Sequence, residues 1–175
     1  ILTAGEYRVF YADTANAAPG VHTGFTLSAA GDQVTLYNTL AAGGAALDAV
    51  AFGRQLADKS ISRQRDLSWS LSTPTFGAAN GALNLGDATR LKINEWLTDS
   101  PTVADFVELY NADDSPIALG GLYLTNNPSG QPKLQQVAAL SFIAPQSTAT
   151  YRGDGLASEH LAFGLPSVQG AIGLF

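Results

Sequence analysis

Short runs in which apolar and polar positions alternate, separated by turn residues, predict strands joined by tight loops, and the default fold class is all-β. Tyr7-Arg8-Val9-Phe10-Tyr11 is aromatic and β-branched, and is closed by the turn cluster Asp13 to Gly20. Phe25 and Leu27, then Val34 and Leu36, each share a face across a Gly31-Asp32 turn, which predicts a hairpin. Leu47–Phe52 and Ser60–Arg65 are weaker strands, and the turn chemistry of Ser72 to Gly81 predicts a linker at about 73–88. Leu91–Trp96, Leu122–Thr125 and Leu134–Val137 alternate as strands. Val103, Phe106, Val107 and Tyr110 also fall on one helical face, so pattern alone leaves two readings. Period two separates Val107 and Leu109 from Phe106, Glu108 and Tyr110, the turn at 111–116 stops the run, and the segment is read as a strand.

The end of the chain repeats its beginning. At an offset of 138, His22, Phe25, Leu27, Val34, Leu36 and Tyr37 fall on His160, Phe163, Leu165, Ile172, Leu174 and Phe175. With three residues taken from the 13–19 loop, Leu2-Thr3-Ala4 falls on Ile143-Ala144-Pro145, Phe10 on Tyr151 and Asp13 on Asp154. A duplicated unit, cut through two successive copies, is the expectation.

Three stretches carry a resemblance: Ile93-Asn94-Glu95, Phe106-Val107-Glu108-Leu109-Tyr110-Asn111 and Leu119-Gly120-Gly121-Leu122-Tyr123-Leu124. With Thr3-Ala4-Gly5, Phe25 to Leu36, Ser60-Ile61-Ser62-Arg63 and Thr73 to Asn80, they make the chain similar, in permuted order, to the lamin-tail domain family. Phe76, Thr3 and Leu122 depart from that family's pattern. The resemblance implies an immunoglobulin-like β-sandwich. Residues 1–82 would be the closing half of a first repeat and 83–175 the opening and middle of a second. The two halves are expected to form one composite sandwich, with strands from 88–141 pairing with 1–72 in circularly permuted order. Segment 142–175 would then compete with 1–37 for one place, and a domain-swapped homodimer is the alternative.

Composition narrows the function classes. The chain has 175 residues, 46% hydrophobic and only 14% charged, enough for a folded core. Nine basic against fifteen acidic residues give a formal charge of −6, the wrong sign for holding phosphate backbones, so nucleic acid is not an expected partner. No apolar run reaches the roughly 18 residues of a membrane helix, so no membrane insertion is expected. Without Cys there is no disulfide frame or thiolate site. Starting at Ile1 and lacking Met, the chain reads as an internal piece of a longer protein.

The chemical candidates are few. Glu95 and Glu108 on neighbouring strands could flank a scissile bond, but solvated strand carboxylates are the commoner case. Asn111, Asp113 and Asp114, with Ser115, are hard oxygen ligands in a tight loop and form a weak calcium candidate, although acidic turns do the same without metal. His22 and His160 occupy equivalent places, which favours a shared structural role. Arg54, Lys59, Arg63 and Arg65 gather positive charge that Asp58 and Asp66 dilute, as on a solvated edge strand. Gly164 to Gly170 misses the spacing of a nucleophile elbow.

No catalytic residue, cofactor or firm metal ligand is therefore assigned, and the chain is not expected to be an enzyme. The expectation is a spacer or adhesion module, binding protein or carbohydrate, in the extracellular space or cell envelope. The alternative is an accessory targeting domain of an extracellular hydrolase.

Overall fold

A computed structural model describes residues 2–15, 17–154 and 159–175. Ile1, Asn16 of the expected 13–20 turn and residues 155–158 of the closing segment lie outside the described residues. The fold is all-β. In chain order the strands are β1 (Asp32–Tyr37), β2 (Ala46–Phe52), β3 (Ser60–Arg63), β4 (Trp69–Ser72), β5 (Leu91–Leu97) and β6 (Phe106–Asn111). They continue with β7 (Ile117–Ala118), β8 (Tyr123–Thr125), β9 (Gln135–Gln136), β10 (Phe142–Ile143), β11 (Thr148–Arg152) and β12 (Gly173–Leu174). Single 3-10 turns occupy Leu40–Ala42 and Ala88–Arg90. No described helix is long and apolar enough to cross a membrane.

The strands form five small antiparallel sheets: β1-β2, β3-β4, β11-β6-β5, β10-β7 and β12-β8-β9. β6 resolves the helix-or-strand choice at 103–110. Val107, Leu109 and Asn111 are buried while Phe106, Glu108 and Tyr110 are only half-buried, the period-two pattern of a strand covered on one face.

The first hairpin differs from expectation. Val34–Tyr37 lie in β1, but its partner is β2, from Asp32↔Phe52 to Tyr37↔Ala46, and Phe25–Ser28 belong to no strand. Two local causes act together. The Asp32 carboxylate accepts the N–H groups of Ser28 and Gln33, holding the 28–32 segment in a turn. Beyond β1, the Thr39 hydroxyl accepts the Ala42 N–H, and Gly43 and Gly44, at φ +92° and +64°, reverse the chain into β2. Tyr7–Phe10 likewise form no ladder, and Tyr11 makes only an isolated bridge to His22.

The pairing also departs from the expected composite. β6 ladders with β11 on the edge opposite β5, and β8 ladders with β12, so 142–175 supplies the strands expected from 1–72. No described ladder joins a strand before residue 88 to one after it. Segment 142–175 is tethered much closer to β6 and β8 along the chain, and loop closure favours the nearer occupant by about 0.6 kcal/mol for each halving of the loop.

The core follows the same division. Leu91, Val107, Leu109, Ile117, Leu119, Leu124, Ile143, Ala149, Tyr151, Leu161 and Leu165 are buried in one cluster. Each large aliphatic removed from water there contributes about 1.5–3 kcal/mol. Burial pushes the Tyr151 phenol up to about 12, because its ionised form would lose water contacts. Among described residues before 88, Leu71 is the only buried large hydrophobe.

The halves meet at a seam. Gly53 N–H donates to Ala139 O at 2.9 Å, Phe142 N–H to Arg54 O at 2.9 Å, and the Gln55 amide to Leu140 O at 2.9 Å. Arg54 also reaches Glu159 at 2.5 Å. A side chain at position 53 would stand 2.0 Å from Ser141 Oγ, so the approach of the two backbones requires glycine.

Candidate functional site

The sheet that carries Leu91, Val107, Leu109, Ala149 and Tyr151 of the core also places the paired carboxylates. Glu95 and Glu108 are directly opposite in the β5–β6 ladder, beside the register shift between Ile93 and Glu95. Glu108 accepts the Asn94 side-chain amide at 2.7 Å, and Glu95 is exposed. The structure thus brings the two together, on the solvent side of an open sheet rather than across a cleft. Such a pair can bind a cation or water, but nothing around it encloses a scissile bond.

The 111–115 loop is knitted by its own polar groups. Asn111 is fully buried; its Nδ2 donates to Ser115 O and Ala144 O, both at 2.9 Å, and its Oδ1 accepts the Asp113 N–H at 2.8 Å. Asp113 accepts the Ser115 N–H at 3.0 Å, and Asp114 accepts the Gln146 amide at 3.1 Å. These oxygens cap the loop on itself and tie it to the segment before β11. Among the described residues no group of three or more His, Cys, Asp or Glu side chains gathers as a metal site.

The two histidines build the same corner. His22 Nδ1–H donates to Asp13 at 2.5 Å, and His160 Nδ1 forms an ion pair with Asp154. Tyr11 and His22 bridge in parallel, as do Arg152 and His160. Tyr11 N–H donates to Val21 O and Thr23 N–H to Tyr11 O; Arg152 N–H donates to Glu159 O and Leu161 N–H to Arg152 O, in the same positions. In the first corner the His22 ring also stacks on Tyr11, with centroids 5.2 Å apart. The hydrogen bond to Asp13 raises the His22 pKa above its ordinary value against an opposing desolvation, and smaller contributions come from the Asp13 charge and the Ala18 and Pro19 carbonyls. Asp13 is lowered, first by the Ala15 N–H and then by His22.

Of the basic cluster, Arg54 crosses the seam. Arg63 Nη2 donates to both carboxylate oxygens of Asp48 at 2.7 and 2.8 Å, and the guanidinium covers the Trp69 ring at 4.4 Å. Both charges thus fix neighbouring elements.

Sequence reasoning missed a cleft. β5 is the free edge of its sheet, and the 165–172 loop stands beside that edge, enclosing about 460 Å³ lined by Ile93, Trp96, Thr98, Leu165, Val168 and Ile172 among others. Leu165 N–H donates to Asp105 at 3.3 Å, which anchors the loop. Trp96 and Val168 are exposed at its rim. An indole at the last alternating position of an edge strand was the available signal; the position of the loop was not. Comparison with known protein families, with curated proteins and with solved structures finds no match.

Proposed function

We propose that this chain is a non-catalytic structural or binding module: a spacer or adhesion unit of a secreted or cell-surface repeat protein, similar to the lamin-tail family and its immunoglobulin-like sandwich. The observation that carries the reading is the corner built twice, Asp13–His22 and Asp154–His160, with matching bridges and backbone hydrogen bonds. Successive copies of one β-unit are the ordinary construction of spacers. In each copy the His–Asp pair joins the two ends of one short loop, a structural task that both corners share.

The test is a panel of glycoside, ester and peptide substrates together with immobilised matrix proteins and polysaccharides. The expected result is binding without turnover. Turnover that Glu95→Gln or Glu108→Gln abolishes would overturn the reading.

The cleft at Trp96 favours a second reading, an accessory domain that holds an extracellular hydrolase on a polysaccharide, since an exposed indole beside an open groove suits a sugar face. Retention on soluble polysaccharide in affinity electrophoresis, lost at least tenfold in Trp96→Ala, is the result that supports it. Equal retention of both chains removes it.

A further inference from the structure

The two equivalent segments have opposite surroundings. Phe10, Phe25, Leu27, Val34 and Leu36 are exposed large hydrophobes, whereas their equivalents Tyr151 and Leu165 are buried and Phe163, Ile172 and Leu174 pack against the core; only the last pair, Tyr37 and Phe175, is exposed in both. What covers the second set is visible: β11 lies on β6, and β12 lies on β8, with Phe175 and Tyr123 exchanging N–H···O bonds at 2.7 and 3.0 Å. The first set has no such cover.

Its backbone is nevertheless prepared for one. Position 37 corresponds to 175. Asn38 N–H reaches Ala45 O on the β2 side, so the alternation of a strand turns the N–H and C=O of Tyr37 to the other edge, where β1 has no partner among the described strands. That is the edge and residue through which Phe175 meets β8. Residues 7–11 correspond to β11 in the same way and form no ladder without a β6-like neighbour. An apolar face flanked by an open edge is an unfinished interface.

We propose that the face made by residues 7–11 and 25–37 is a docking site for one kind of occupant, a β-unit with the sequence pattern of residues 86–141 that lacks its own closing segment. A β6-like strand pairs with 7–11, and a β8-like strand adds to the free edge of β1, extending β1-β2 into a larger sheet. The site takes a polypeptide by strand addition. The inference rests on the two segments being copies of one unit, as the module reading does, but requires no ligand; its readout is backbone protection rather than binding of sugar or turnover, so the two can fail separately.

The test extends the whole chain by placing a second copy of residues 86–141 directly before Ile1, the junction that 141–142 makes in the existing sequence. Amide hydrogen exchange is then followed at residues 7–11, 35 and 37. At least tenfold slower exchange at alternate positions of 7–11 and at Thr35 and Tyr37 is expected. A control extension with Val107→Asp and Leu109→Asp in the added copy alone gives no slowing. No change in the extended chain, or equal slowing in the control, overturns the proposal. So does an unextended chain that sediments as a dimer with these amides already protected, because the face then belongs to a second identical copy.

Discussion

Residues 22–37 and 160–175 carry nearly the same apolar pattern and the same histidine corner, yet Leu27 is 41% exposed where Leu165 is 8%, and Phe10 is 60% exposed where Tyr151 is 4%. Pattern sets which face of a strand is apolar. Whether that face is buried depends on a neighbour, here β5, β6 and β8, that only the second segment possesses. The corner, by contrast, forms in both places because its Asp, His and backbone groups lie within one short stretch.

The largest expected difference comes from cutting equivalent side chains. Tyr151→Ala removes a buried aromatic from the core and is expected to cost about 3–5 kcal/mol, whereas Phe10→Ala should stay within about 0.5 kcal/mol. Urea unfolding followed by tryptophan fluorescence compares the two midpoints. Equal losses would mean that the first segment is covered after all, and the contrast between the regions would collapse.

Next is the seam that joins them. Gly53→Ala places a methyl against Ser141 Oγ, which cannot rotate away freely because it donates to Ala138 O at 2.7 Å and accepts the Arg54 N–H at 3.2 Å. Forced overpacking of this kind costs about 1–3 kcal/mol. The double variant with Ser141→Ala is expected to recover part of the loss, since the nearest contact then becomes the Ala138 methyl at 2.9 Å. If the halves melt together in the parent and separately in Gly53→Ala, the seam is what couples a core-poor region to a core-rich one.

How much of this was legible in the sequence follows the same logic. β6 was readable once the turn at 111–116 closed it, because Val107 and Leu109 are buried in alternation, while β5 and β8 were found from short alternating runs although β5 buries only Leu91 and β8 buries the adjacent Leu124 and Thr125. β4 was not: its buried positions include Ser72, whose hydroxyl meets that of Ser62, so a polar residue stands where pattern reading expects an apolar one. The partner of β1 was misread because Val34–Tyr37 alternate equally well against 25–28 or 46–52, and the choice lay in the Asp32 and Gly43-Gly44 turns. Matching the repeat located both histidines and both aspartates, Asp13 on Asp154, but that each Asp pairs with its His could not be read from the pattern. Trp96 was visible as an aromatic; its cleft was not, because the 165–172 loop reaches it through tertiary folding.

A smaller effect sharpens the view of the first half. Leu67, exposed in the β3–β4 turn, holds φ +69°, a left-handed conformation unfavourable for a side chain. Leu67→Gly relieves that strain but adds freedom to the unfolded chain, so the net gain is up to about 1 kcal/mol. It should appear as slower exchange at Gln64 N–H, which donates across the turn to Ser68 O at 2.8 Å. Faster exchange would show that packing of Leu67, not turn geometry, holds the hairpin.

The smallest expected effect is the pH response of the first corner. His22 titrates above its ordinary 6.5, so its pairing supports the corner fully below 6.5 and is lost as pH rises through its folded value. Asp13 titrates below its ordinary 3.8, so its share is present above 3.8 and is lost as pH falls through the folded value. The corner is therefore firmest between about 4 and 6.5. Exchange of the Tyr11, Thr23 and Gly24 amides, which close the corner at 2.8, 2.9 and 3.0 Å, should be slowest there once intrinsic pH dependence is removed. His22→Gln should flatten the alkaline side and leave the acid side shallower. Asp13→Asn should bring the His22 titration, read by NMR, back toward the ordinary imidazole value. A His22 titration unmoved by Asp13→Asn would assign its shift to the carbonyls of Ala18 and Pro19 instead, and the two corners would then share a shape without sharing the interaction that holds it.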